Sequence, residues 1–243
     1  MSGHNRWSKI KRKKEAQGAA KGKLFTKLIK EITVAARMGG GDPDGNARLR
    51  VAIDAAKESN MPADNITRAV KKGTGELEGV TYEEVTYEGR FPGGVAIIIE
   101  AMTDNKNRTT PEIRSYFAKF GGELGTAGSA AYLYSKQGQI VVESEVSEDQ
   151  VMEVALEAGA DDVKDEGGAW VIQTSPEAYE AVKAAVDAAK LPTIEAKLIM
   201  APSTSVELAP DKVKTFTKFL DLVEDNDDVQ NVWHNADYDE PED

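Results

Sequence analysis

The chain has 243 residues, 40% of them hydrophobic, enough for one large domain or for two to three small ones with filled cores. It holds no cysteine, which excludes a disulfide framework, a thiolate metal site and a cysteine nucleophile, and fits a reducing compartment such as the cytoplasm. The net charge of −12 argues against a polyanionic partner only as an average, because residues 1–75 carry 17 Lys+Arg against 7 Asp+Glu and residues 76–243 carry 13 against 35.

The opening MSGHNRWSKIKRKK is basic, but no apolar run follows it, and the most apolar stretch, Val95 to Ile99, is far short of a membrane span. Neither signal peptide nor anchor is expected, and no membrane partner. Residues 1–20 offer only Trp7 and Ile10 as large apolar side chains and read as an arm. From Leu24 to Met38 the pattern turns helical, with Leu24, Phe25, Leu28, Ile29, Ile32, Ala35 and Ala36 in one arc of roughly 140°. Gly39 to Gly41 and Asp42-Pro43 end this helix; a second fits Asn46 to Glu58, and a third runs from near Pro62 to Gly73.

After Gly73-Thr74-Gly75 the period changes. Val80 to Tyr87 alternates as a strand, Phe91 to Gly94 turns the chain, and Val95 to Ala101 reads as a buried strand. A helix from about Thr110 to Phe120 and a strand from Ala130 to Tyr134 follow. Residues 138–202 then give strand (Ile140 to Glu143), helix (Glu148 to Ala158), strand near Val163, strand (Trp170 to Thr174), helix (Pro176 to Ala189) and strand (Ala196 to Met200). That βαββαβ order is the ferredoxin-like arrangement. The tail adds a strand (Ser205 to Leu208), a helix (Asp211 to Val223), a strand (Val229 to His234) and an acidic frayed end from Ala236. If these tail elements complete the sheet begun at residue 80, the chain is a multidomain protein of α plus α+β class. It has a basic helical domain at 1–75, a discontinuous α+β domain at 76–137 and 203–243, and a ferredoxin-like α+β domain inserted at 138–202.

On the first helix Lys23, Lys27, Lys30 and Arg37 cluster opposite the apolar arc. Lys9, Lys11, Arg12, Lys13, Lys14 and Lys21 add charge from the arm, and Arg48, Arg50, Arg68, Lys71 and Lys72 from the other two helices. Residues 1–37 hold eleven basic residues against Glu15 and Glu31 alone, whereas solubilising surfaces mix both signs. This density fits phosphate neutralisation with counterion release, and Trp7 could stack on an unpaired base. A basic block could also bind an acidic protein or an acidic membrane surface, or pack against its own acidic domains.

The run Asp104 to Thr109, before a helix, offers Asn105, Lys106, Asn107 and Arg108 as an anion contact or as a plain capped turn. His4 and His234 are far apart and lack ligand spacing, so no metal is expected. The glycine clusters match no phosphate-loop or dinucleotide pattern, and no nucleophile elbow, zinc-hydrolase helix or carboxylate pair is visible. The expectation is therefore a non-enzyme without cofactor or small-molecule substrate.

The blocks GHNRWSKIK, FTKLIKEITVAARMGGGDP, NMPADNITRAVKKGTGE, YEGRFPGGVAIIIEAMTDNKNRT, FGGELGTAGSAAYLY and DDVQNVWHNAD span nearly the whole chain in order. In them the chain resembles the YebC family, whose members are labelled probable transcriptional regulators. Departures are small: Asn5-Arg6 stands where the family usually shows Ser-Lys, and Trp233 where Tyr is common. The resemblance implies an N-terminal helical domain and two α+β domains, the third inserted in the second, and a role in gene expression. Some members look like DNA-binding transcription regulators; others, including mitochondrial relatives, act in translation on the ribosome. DNA or ribosomal RNA is thus the expected partner, with the ribosome as the alternative setting.

Overall fold

In the computed structural model the described residues are 21–238. In chain order they form α1 (Lys21–Gly39), α2 (Ala47–Glu58), α3 (Ala63–Thr74), β1 (Glu83–Phe91), β2 (Val95–Thr103), α4 (Lys106–Lys119) and β3 (Glu123–Leu124). A 3-10 turn (Ala131–Leu133) leads into β4 (Tyr134–Glu143), α5 (Glu148–Glu157), β5 (Asp162–Asp165), β6 (Ala169–Thr174), α6 (Tyr179–Ala188) and β7 (Thr193–Pro202). The chain continues through β8 (Val206–Glu207), α7 (Pro210–Glu224), β9 (Val229–His234) and β10 (Ala236–Asp237). The protein is thus an α+β protein with a helical N-terminal region. Its described residues divide into two compact units, 21–130 with 214–234 and 131–213 with 235–238.

In the first unit the three N-terminal helices enclose Ile32, Ala35, Ala36, Leu49, Ala52, Ala56, Met61, Ile66 and Ala69. One buried side chain fixes the turn between α1 and α2. Asn46 Oδ1 accepts from the Leu49 amide at 3.1 Å, capping α2, while its Nδ2 donates to the carbonyls of Ala35 and Gly40 at 2.8 and 2.9 Å. α1 and α3 touch at Gly73, where a Cβ would lie 2.4 Å from the Thr33 carbonyl oxygen and 2.7 Å from Ala36 Cβ. Only glycine lets the two helices approach so closely.

The sheet of this unit has the order β3-β1-β2-β9, and every neighbouring pair is antiparallel. Both faces of β2 are covered, since Val95 to Ile99 are all buried. Beneath the sheet Phe219 of α7 stands among Phe91, Phe117, Phe120 and Phe216, with ring centroids 4.9 to 6.4 Å apart within the cluster. β1 runs on to Phe91, past the expected end at Tyr87, because Gly89 admits the Phe117 ring: a Cβ there would lie 2.5 Å from its Cζ. The helix expected from about Thr110 begins four residues earlier at Lys106. The Asn105 side chain caps the helix by accepting from the Arg108 amide at 3.1 Å, and Pro111 lies inside it.

The second unit carries a sheet of order β5-β6-β4-β7, all antiparallel, with α5 and α6 packed over Ile140, Val142 and Ile172. This is the ferredoxin-like strand order expected from the βαββαβ pattern. The strand expected at Ala130 to Tyr134 is instead the 3-10 turn, and β4 starts at Tyr134 and pairs with β7 from Tyr134↔Pro202 onward. Gly138 hid this continuity, since a mid-strand glycine reads as a break. Here it admits neighbours, for a Cβ would lie 2.2 Å from Thr174 Oγ1 and 2.6 Å from the Tyr179 ring. β8 also departs from expectation. It pairs in parallel with β10, Val206↔Ala236, not with the sheet of the first unit, whereas β9 does join that sheet through Ile98↔Trp233.

Candidate nucleic-acid interface

Lys23, Lys27 and Lys30 lie three and four residues apart and therefore share one face of α1. In the structure that face meets the C-terminal end of α7. Lys23 pairs with the Asp225 carboxylate and donates to its carbonyl at 3.3 Å, Lys27 donates to the Glu224 carbonyl at 3.2 Å, and Lys30 to the Asp227 carbonyl at 2.8 Å. α7 has no basic residue in its last turn, so its outward-facing carbonyls and the run Glu224, Asp225, Asp227, Asp228 concentrate negative charge at the negative end of its dipole. The three lysines of α1 supply the missing cations.

Lys30 is therefore no surface lysine. It is 6% exposed, its ammonium sits 2.7 Å from Asp228 Oδ1, and it also donates to the Met102 carbonyl at 3.2 Å and lies over the Tyr82 ring. The other oxygen of Asp228 accepts from Arg108 at 2.8 Å, Thr109 at 2.7 Å and Thr103 at 3.1 Å. The Asp104 to Thr109 run thus holds an anion at the start of a helix, through the Arg108 and Thr109 side chains, and that anion is the chain's own Asp228. Arg108 is bridged between Asp104 and Asp228, and Asn105 is a helix cap. Lys106 and Asn107 are exposed on the first turn of α4.

Burial raises the Asp228 carboxyl, but hydrogen bonds from Lys30, Arg108 and Thr109 outweigh it and hold the group well below the usual carboxylate range. A carboxylate with a lower pKa folded than unfolded adds stability that is complete above its unfolded pKa of about 3.9 and is lost as pH falls through the folded value. Thermal melting should accordingly drop more steeply on acidification below about pH 4 in the natural chain than in an Asp228→Asn variant. Parallel acid profiles would contradict the assignment.

Arg48 is also committed. Its guanidinium spans Glu31 of α1, at 2.7 and 3.2 Å, and Glu84 of β1, at 2.6 and 3.2 Å, and these bonds, Glu31 first, raise its pKa further. Arg50 donates to the Pro43 carbonyl at 3.0 Å. A different set of expected cations remains open. Lys21, Arg37, Arg68 and Lys71 are exposed and Lys72 is half-buried, and none forms an ion pair among the described residues. Arg37 ends α1, Lys71 and Lys72 end α3, and the contact at Gly73 brings the two helix ends together. Trp7, Lys9, Lys11, Arg12, Lys13 and Lys14 lie outside the described residues.

The residues that hold the expected cations, namely Asp228, Asp225, Glu84 and Glu31, were not singled out in the sequence. A signal was present: acidic residues crowded at a helix C-terminus oppose the dipole and call for a cationic neighbour. Among the described residues no cluster of His, Cys, Asp and Glu fits a metal ion, and no helix is long and apolar enough to cross a membrane.

Residues 5–76 match the family model described as the TACO1/YebC protein N-terminal domain, and residues 82–236 that of the TACO1/YebC second and third domain. A protein of Desulfatibacillum aliphaticivorans is 56% identical over 238 residues, covering 98% of this chain and 96% of its own. One of Geobacter sulfurreducens is 54% identical over 237 residues with the same coverage. Both carry the name probable transcriptional regulatory protein. The crystal structure of a conserved hypothetical protein from Aquifex aeolicus superposes with a TM-score of 0.83 at 45% identity, covering 93% of each chain. Matched across both family models and by relatives of nearly full length, the chain belongs to the TACO1/YebC family.

Proposed function

We propose that this protein is a cytoplasmic, non-enzymatic regulator of gene expression that binds nucleic acid through its helical N-terminal domain and acts on transcription by contacting DNA. In this reading the chain works as three parts, a basic domain at 1–75, a discontinuous α+β domain at 76–137 and 203–243, and an inserted ferredoxin-like domain at 138–202, and it needs no cofactor. The observation that carries it is the surplus of cations left exposed at the joined C-terminal ends of α1 and α3, to which the sequence before Lys21 adds a second basic run in the same domain. The transcriptional arm takes its support from the name carried by the relatives. Replacing Arg68 and Lys71 by Gln should lower the slope of log affinity against log salt by about 1.8 on duplex DNA, or about 1.4 on a single strand. An unchanged slope would remove these two residues from the interface.

A second reading, a translation factor on ribosomal RNA, is favoured by one feature of the helical domain. The face of α1 that carries Lys23, Lys27 and Lys30 is spent on α7, which leaves short clusters of cations rather than a long cationic helix to lie in a groove. Short clusters, with the basic run of residues 6–14 and its Trp7 in the sequence, suit irregular RNA. Crosslinking in cells with sequencing of bound DNA and RNA, together with co-sedimentation with ribosomes, separates the two. Promoter peaks without ribosome association support transcription, and ribosomal RNA crosslinks without promoter enrichment replace it with translation.

A further inference from the structure

We propose that Asp225 is a built-in competitor for phosphate, an autoinhibitory contact that occupies Lys23 until nucleic acid displaces it. The inference rests on the reading of the helical domain as the nucleic-acid-binding part and adds a regulation to it. The contact between α1 and α7 has two halves of different character. At the inner half Lys30 and Asp228 are both 7% exposed at the side chain and hydrogen-bonded on all sides, so parting them leaves a buried charge alone. At the outer half the side chains of Lys23 and Asp225 are 48% and 68% exposed. An ion pair in such a setting is weak and is screened by salt.

The lysine stem turns by rotamer changes alone, so its ammonium can leave Asp225 for a phosphate without moving α1. Lys23 lies two residues from the exposed Lys21, in the same first turn of α1, and follows the basic run in the sequence. Asp225 then does two things. It holds Lys23 beside the last turn of α7, which lacks a cation of its own, and it makes every polyanion break one ion pair before it can bind, which suppresses weak, indiscriminate binding.

The test uses four full-length chains: natural, Asp225→Asn, Lys23→Gln and the double variant. Each is titrated by fluorescence anisotropy against a labelled single-stranded RNA and, separately, a DNA duplex, with thermal melts as a check of folding. Asp225→Asn should bind about two- to five-fold tighter at low salt, the factor that a surface ion pair represents, and this gain should shrink as salt rises. In the Lys23→Gln background the same substitution should give no gain. An equal gain with and without Lys23 would mean that Asp225 acts only through overall charge, and the latch is then overturned. No binding by any of the four chains overturns the latch together with the nucleic-acid reading beneath it.

Discussion

Replacing Asp228 by Ala is expected to cost about 3–5 kcal/mol of folding stability, because it leaves the Lys30 ammonium buried without its counter-charge. Asp228 accepts from four side chains drawn from three elements: Lys30 of α1, Thr103 of β2, and Arg108 and Thr109 of α4. Its backbone belongs to the same node, since its carbonyl accepts from the Met102 amide at 2.8 Å and its amide donates to Asn226 Oδ1 at 2.9 Å. Urea unfolding should show a lower midpoint with little change in slope, the signature of lost stability without a change in the surface exposed. Pairing the substitution with Lys30→Met removes the stranded charge and should recover a large part of the loss. If the single variant were as stable as the natural chain, the ion pair would not be what joins α1 to the sheet.

Phe219→Ala should be comparably severe, again about 3–5 kcal/mol. Phe219 is fully buried and its ring lies 5.0 Å from Phe117, 5.5 Å from Phe91 and 5.9 Å from Phe120. Truncation opens a void that a backbone held by β1, α4 and α7 cannot close, and it also removes the edge and tilted ring contacts. Phe219→Leu, which keeps most of the volume, should lose much less. Equal losses for Ala and Leu would mean that the site collapses freely and that the aromatic cluster is not the core it resembles.

Much of the fold was legible in the sequence because its elements announce themselves locally. The glycines after Met38 and the caps around the first three helices mark boundaries that the structure keeps, as Asn46 shows. The ferredoxin-like order was legible for the same reason, each strand and helix there carrying its own period. What escaped depends on neighbours distant in sequence. Gly89 and Gly138 look like strand breakers until the Phe117 ring and the Thr174 and Tyr179 side chains are placed against them. The pairing of β8 with β10 rests on two residues in each strand, too few to leave a pattern.

The site was legible in charge but not in connectivity. A helical wheel places Lys23, Lys27 and Lys30 on a cationic face, yet it cannot say which anion that face meets. The answer lies nearly 200 positions further on, where Asp228 is 198 residues from Lys30. Likewise the Asp104 to Thr109 run reads as an anion holder, and it is one, for a carboxylate of the same chain. Arg48 was counted toward phosphate because Glu31 and Glu84 lie 17 and 36 residues away. Among the expected cations of the three helices, Lys21, Arg37, Arg68 and Lys71 stay exposed with no carboxylate partner among the described residues, and this subtraction is what the structure adds to the sequence.

Nucleic-acid binding is tested by the affinity of the full-length chain for a labelled DNA duplex and for a single-stranded RNA across a salt series. Binding to at least one of them is expected, with log affinity falling linearly with log salt and a slope of several units on the tighter partner. Binding that ignores salt, or no binding to either at low salt, would contradict it.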